Sequence, residues 1–136
     1  MKYLVTGYKG QLGYDVVKEL EKRNKEAIGV DIEEMDITDK NSVDSVIKEN
    51  TPDAVIHCAA YTAVDKAEDD YITCFEANCT GTINIAQCVR KRDIKIIYIS
   101  TDYVFDGKGE TPWEADCKDY APQNVYGLSK LEGEKA

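Results

Sequence analysis

The residues best suited by type and spacing to do chemistry lie near the end of this 136-residue chain, at Tyr126-Gly127-Leu128-Ser129-Lys130. On a helix, the i, i+4 spacing of Tyr126 and Lys130 puts phenol and ammonium on the same face. A nearby cation stabilises a phenolate and lowers the tyrosine pKa. A general acid that protonates a developing alkoxide near neutrality needs that. Alone the pair is weak, because Tyr and Lys four apart recur by chance on solvated helices. Thr101 adds weight, since its hydroxyl follows the apolar run Ile94 to Ser100 and so lies at the carboxyl end of a predicted strand. In an open parallel sheet ligands bind at those ends. Thr101, Tyr126 and Lys130 would then surround one carbonyl oxygen.

A second group sits at the start, Gly7-Tyr8-Lys9-Gly10-Gln11-Leu12-Gly13, between an apolar run and a helical pattern. Glycines at such a turn permit positive φ and bring backbone N–H groups to a pyrophosphate. They also let the helix begin close to the sheet, where its dipole favours an anion. A bare glycine triplet more often marks a tight turn, but the flanking strand and amphipathic helix supply the context a dinucleotide site requires. Asp31 ends the next apolar run, 24 residues beyond Gly7. A carboxylate there can accept from ribose hydroxyls and repels a 2′-phosphate. No arginine follows in Asp31-Ile32-Glu33-Glu34, so the residues favour NADH over NADPH. Asp36-Ile37, read as a third short strand, either meets an adenine ring or leads into a helix cap at Asp39 or Asn41.

The elements that must position these groups alternate. Lys2 to Thr6, Glu26 to Asp31, Asp53 to Ala60 and Ile94 to Ser100 read as strands. Gln11 to Asn24 reads as a helix with Leu12, Val16 and Leu20 on one face, and Asn41 to Asn50 as another with Val43, Val46 and Ile47 inward. Val64 to Arg92 reads as one long helix whose stripe holds Tyr71, Phe75, Asn78, Thr82, Ile85, Ala86 and Val89. Its interior Gly81 signals a close backbone approach, and Asn78 on the stripe reads as a buried polar group bonding a neighbouring backbone. A loop spans Thr101 to about Gln123, and a last helix starts at Asn124. Strands alternating with helices imply an α/β fold with a Rossmann-like, doubly wound parallel sheet and helices on both faces. The continuous, non-alternating apolar runs are those of strands covered on both sides.

Composition narrows the function classes. Lys plus Arg number 17 against 26 Asp plus Glu, a formal charge of −9, which offers nucleic acid or an anionic membrane no basic face. The apolar stretch Ala54 to Val64 falls short of the about 20 residues that span a bilayer. Met1-Lys2 runs directly into Tyr3-Leu4-Val5 without a signal-peptide pattern, so the expectation is a soluble cytoplasmic protein. Five irregularly spaced cysteines and one histidine make a zinc site or disulfide framework unexpected, and His57 reads as a satisfied strand residue.

Taken together, several stretches resemble the extended short-chain dehydrogenases, and more narrowly the dTDP-4-dehydrorhamnose reductase family. They are the glycine triplet, Asp36-Ile37-Thr38-Asp39, His57-Cys58-Ala59-Ala60-Tyr61-Thr62-Ala63-Val64-Asp65-Lys66-Ala67-Glu68, Ser100-Thr101-Asp102-Tyr103-Val104-Phe105-Asp106-Gly107 and Tyr126 to Lys130. The resemblance runs the length of the chain. It implies an NAD(P)H-dependent oxidoreductase that reduces the 4-keto group of dTDP-4-dehydro-L-rhamnose, a dTDP-sugar, in nucleotide-sugar and cell-surface polysaccharide synthesis. By that resemblance Gly10, Gln11 and Leu12 would meet the pyrophosphate, with Gly7 and Gly13 also at the cofactor, Asp31 the ribose, Asp36 and Ile37 the adenine, and Ala60, Tyr61 and Thr62 the nicotinamide side. Thr101 would bond the keto oxygen, Tyr126 protonate it, and Lys130 hold the nicotinamide ribose while depressing the tyrosine pKa. Asp102 and Tyr103 would sit at the sugar.

The resemblance is compatible with a homodimer and leaves metal dependence unread. Family enzymes are about twice this long, and their second half supplies most of the sugar-nucleotide pocket. Residues 1–136 are therefore expected to be a dinucleotide-binding domain without its substrate region, able to hold dinucleotide but with little turnover of its own. Two other functions fit the same residues: a non-catalytic dinucleotide-binding regulatory subunit like that of methionine adenosyltransferase, and a nucleotide-sugar epimerase or dehydratase.

Overall fold

A computed structural model describes residues 1–136. Four parallel strands, β1 (Lys2–Thr6), β2 (Glu26–Val30), β3 (Ala54–His57) and β4 (Lys95–Tyr98), form one sheet in the order β2-β1-β3-β4. Leu4 aligns with Ile28 on one side and with Val55 on the other, and Ile56 aligns with Ile97. Between β1 and β3 the chain reverses its direction of strand addition, which opens a crevice at the carboxyl ends. The sheet is Rossmann-like.

Helix α1 (Gln11–Lys22) packs on β1 and β2 from one face, and α2 (Lys40–Asn50) and α5 (Gly81–Arg90) pack together on the other. The core lies on that second face, where Leu4, Val30 and Val55 from the strands meet Met35, Val43, Ile47, Ile85 and Val89. Helix α2 begins at Asp39, whose carboxylate accepts from the Asn41 N–H at 2.8 Å. That satisfies one of the donors a helix start leaves free. In α1 the inward contacts are Gly13, Val16 and Leu20, while Leu12, expected on that stripe, is 45% exposed. Leu12 lies in the first turn and borders the cleft at the strand ends instead of the core.

The stretch expected as one helix from Val64 is broken. It consists of α3 (Val64–Ala67), α4 (Tyr71–Phe75), a π-helical turn at Glu76–Thr80, and α5. The break falls at Glu68-Asp69-Asp70, where consecutive carboxylates oppose the negative end of α3 and suit the positive start of α4. Tyr71 leaves the predicted stripe and is 57% exposed. The close approach at Gly81 is real: a Cβ there would lie 2.7 Å from the Ile37 side chain. Asp36 and Ile37 form no strand, because residues 31–39 are a series of turns, held where Asn84 Nδ2 donates to the Ile37 and Thr38 carbonyls at 2.9 and 3.1 Å.

Strand β4 departs most from expectation. Its run IKIIYIS predicts a strand buried on both faces, yet Ile96 and Ile97 are 36% and 50% exposed. It is the edge of the sheet, bonded only to β3. Beyond it, Asp102–Val104 makes one 3₁₀ turn, and Phe105 stacks on Trp113 at 4.4 Å and on Tyr120 at 5.7 Å. Helix α6 (Val125–Glu134) starts at Asn124, whose side chain accepts from the Gly127 N–H at 2.7 Å. No helix is long and apolar enough to cross a membrane.

Candidate active site

Two adjoining hollows open at the carboxyl ends of the strands, of about 820 and 380 Å³. Gly7, Gly10, Gln11, Leu12, Gly13, Asp31, Ala60, Thr62, Tyr126 and Lys130 border the larger. Asp36, Ile37 and Tyr61 border the smaller, which shares Gly7, Asp31 and Ala60 with it. One continuous site therefore gathers every residue the sequence assigned to a cofactor.

The glycine loop is built for close approach. Gly7 has φ +67°, and a Cβ there would lie 2.8 Å from the Ala59 backbone. A Cβ on Gly13 would strike the Gly7 carbonyl oxygen, so only glycine lets α1 begin this close to β1. Helix α1 has Gly10 at its N-cap and no side-chain cap, so its first-turn N–H groups remain available to an anion. These features fit a pyrophosphate.

Asp31 is aimed by the loop itself. Its Oδ2 accepts from the Lys9 N–H at 3.1 Å and its Oδ1 from the Ile32 N–H at 2.9 Å. Lys9, which the sequence reading passed over, borders the same cleft and sends its ammonium to Glu33, with Glu34 at 3.9 Å. A cation therefore does border the cleft that Asp31 borders, although no arginine follows Asp31 and the ammonium itself is paired with Glu33 and Glu34. Asp36 spends Oδ1 on the N–H and hydroxyl of Thr38, at 2.9 and 2.7 Å, and Asp39 is the helix cap. The segment thus leads into the helix cap, the second alternative, while Asp36 and Ile37 also border the smaller hollow.

On the opposite wall, Tyr126 and Lys130 lie one turn apart on α6. Burial pushes the Tyr126 phenol above its ordinary pKa, and the Thr101 hydroxyl beside it draws it partly back. Lys130 does not depress it here. The lysine is 3% exposed, and its Nζ donates to the Ile99 carbonyl at 2.6 Å. Burial lowers its pKa to about 8, against the pull of Glu134 and Cys58. Thr101, Asp102 and Tyr103 stand outside the two hollows and border separate, more open depressions. Thr101 caps its 3₁₀ turn by accepting from the Tyr103 N–H at 3.2 Å, and the Tyr103 ring meets Tyr126 edge-on at 5.7 Å.

Asn78 ties these walls together. Its Oδ1 accepts from the Tyr61 N–H at 2.8 Å, and its Nδ2 donates to the Tyr61 carbonyl at 3.0 Å and to the Ser129 hydroxyl at 3.0 Å. Ser129 in turn donates to the Tyr126 carbonyl at 2.7 Å. Asn78 lies in the π-helical turn, a distortion often found at functional sites. The expected buried, backbone-bonding asparagine is there, and its second partner, on α6, had no signal in the sequence. Cys58 borders the cleft as well, but burial pushes its thiol up, which makes it wall and not nucleophile.

Known proteins match almost the whole of this chain. A dTDP-4-dehydrorhamnose reductase of Aggregatibacter actinomycetemcomitans is 39% identical over 136 residues, covering 98% of this chain and 46% of that protein. The crystal structure of a dTDP-4-dehydrorhamnose reductase from Clostridium acetobutylicum matches with a TM-score of 0.94 at 42% identity, over 99% of this chain and 48% of that one. Its counterpart from Bacillus anthracis, solved in complex with NADP, matches at 0.93 and 38%, over 99% and 49%. The chain spans about half the length of the curated relatives it matches. The family model described as the RmlD substrate binding domain matches residues 1–136, and the chain belongs to that family.

Proposed function

We propose that residues 1–136 form the dinucleotide-binding and proton-donating part of an NAD(P)H-dependent reductase that converts the 4-keto group of dTDP-4-dehydro-L-rhamnose to a hydroxyl. The observation that carries this is the meeting of Tyr126 and Lys130 with the glycine loop around one cleft, with the Thr101 hydroxyl beside the phenol. Relatives named for that reduction, one of them solved with NADP, support it.

A bound nicotinamide would supply the hydride. The N–H groups at the start of α1 hold the pyrophosphate, and Asp31 accepts from the ribose hydroxyls. Tyr126 donates its phenolic proton to the oxygen that gains charge, and Thr101 orients that oxygen by a hydrogen bond. Lys130 bonds the nicotinamide ribose, which requires its ammonium to swing from the Ile99 carbonyl toward the cleft. There it also lowers the phenol's pKa. Asp102 and Tyr103 face the sugar. Asp31 favours NADH, and Lys9 is the group that would admit a 2′-phosphate.

Binding is read on this chain by energy transfer from Trp113 to added NADH or NADPH, and both are expected to bind. Turnover is read by nicotinamide absorbance on the whole natural polypeptide that carries these residues, because the 136 residues alone are expected to oxidise NADH poorly. In that polypeptide Tyr126→Phe should cut substrate-dependent oxidation by about 100-fold or more and leave NADH affinity in place. Failure to bind either dinucleotide, or turnover indifferent to the tyrosine, would sink the proposal.

A further inference from the structure

Lys130 is held from outside its own helix. Its ammonium stands 4.2 Å from the centroid of the Tyr98 ring, within cation–π range, while its Nζ bonds the Ile99 carbonyl. Tyr98 belongs to β4, and its hydroxyl donates to the Lys130 backbone carbonyl at 3.1 Å. One tyrosine thus grips the lysine at both ends, the backbone through its hydroxyl and the charge through its ring face.

The fit is close. A Cβ on Gly133, about one turn along α6, would lie 2.6 Å from the Tyr98 hydroxyl and 2.5 Å from the Asn78 carbonyl. No larger residue there would let the helix seat on the ring. Behind Tyr98 the His57 imidazole packs at 5.8 Å, tilted by 40°. It is neutral, so the ring faces one cation and not two. The other groups facing Lys130 are Glu134 and Tyr126 on α6 and the Cys58 thiol after β3, and Glu134 and Cys58 both favour the charged lysine. None of these supplies the ammonium with a second contact in a site this buried. The ring does.

We propose that Tyr98 is a positioning residue for Lys130, its ring face carrying the ammonium and so setting where the lysine's charge stands at the wall of the cleft. The catalytic consequence rests on the reductase reading; the placement does not. It makes strand β4 part of the site's machinery through a residue that borders neither hollow.

The test is the pH titration of Lys130 in the 136-residue chain labelled with ¹³C,¹⁵N-lysine, read at Cε and Nζ. Removing a desolvated cation–π partner in Tyr98→Leu should lower the midpoint by about one pH unit. Tyr98→Phe, which keeps the ring face, should retain most of the wild-type value. An unchanged midpoint in Tyr98→Leu overturns the proposal, and so does an equal fall in Tyr98→Phe. Should the leucine variant fail to fold, the unaltered protein still decides: ring current from Tyr98 must move the Lys130 Hε protons upfield of the other lysines, and ordinary positions refute the contact. No readout here involves substrate, so a chain that never reduces a sugar could still pass, and an active reductase could still fail.

Discussion

His57 is the chain's one histidine, and the structure makes it a sharp probe of acid stability. It is buried, with Nδ1 2.7 Å from the Thr6 hydroxyl and Nε2 3.1 Å from the Thr82 hydroxyl. Thr82 spends its proton on the Asn78 carbonyl at 2.8 Å, so it must accept from Nε2–H, and Nδ1 then accepts from Thr6. Both ring nitrogens are satisfied in the neutral form only. Burial first, and the Lys130 charge second, lower its pKa from 6.5 to about 3. The unfolded chain therefore binds one more proton than the folded one between those values, so this contribution is full above pH 6.5 and is lost as pH falls toward 3.

The loss from pH 7.5 to 5 comes to about 2 kcal/mol at 1.36 kcal/mol per pKa unit, a large share of an ordinary domain's stability. Most carboxylates are still ionised at pH 5, and Lys130 with its pKa about 8 titrates above the window. Urea unfolding at pH 5, 6 and 7.5 should show this decline in the wild-type chain. His57→Gln should be less stable at pH 7.5, having lost a satisfied ring, but nearly flat across the window. A wild-type chain with no slope, or a glutamine variant with the same slope, would refute the assignment.

Two further outcomes follow from the walls of the cleft. Asn78→Ala strands the Tyr61 N–H and carbonyl and should cost about 2–3 kcal/mol in urea unfolding. Asn78→Asp should be as harmful, since it turns an acceptor on the Tyr61 carbonyl, and both should weaken NADH binding as the Tyr61 loop loosens; unchanged affinity would separate Asn78 from the site. Lys9→Ala should weaken NADPH about five- to tenfold in fluorescence titration and leave NADH within about twofold. Equal effects on both dinucleotides would show that Lys9 does not meet the 2′-phosphate.

Periodicity located all four strands and the glycine turn because those features are local. The continuous apolar run of β3 is indeed buried throughout, and Gly7 and Gly13 stand where backbone meets backbone. Errors arose where tertiary placement overrode local pattern. The run at β4 is as apolar as that at β3, and no property of residues 95–98 distinguishes a central strand from an edge; only the strand order does. Asp36-Ile37 has strand-like composition, but the segment is fixed as turns by Asn84, reaching across from α5. The helix break at residues 68–70 was visible as three consecutive carboxylates, but the apolar stripe outweighed them.

The candidate site shows the same division. Spacing correctly puts Tyr126 and Lys130 on one wall, yet i, i+4 geometry says only that two side chains share a face, not that they choose each other. Lys130 has an aromatic face from β4 and the carbonyl of the next residue, Ile99, within reach, and takes them in preference to the phenol four residues before it. The contact with Tyr98 spans 32 residues, so no local rule would find it. A buried ammonium goes to the partners that best replace its lost water, and here those partners come from the sheet. In the proposed reductase, catalytic pairing of Tyr126 with Lys130 would therefore need a second position of the lysine, one in which a ligand ribose replaces the Ile99 carbonyl. Tyr98, which holds the lysine in its present position, would then set part of the energy of that move.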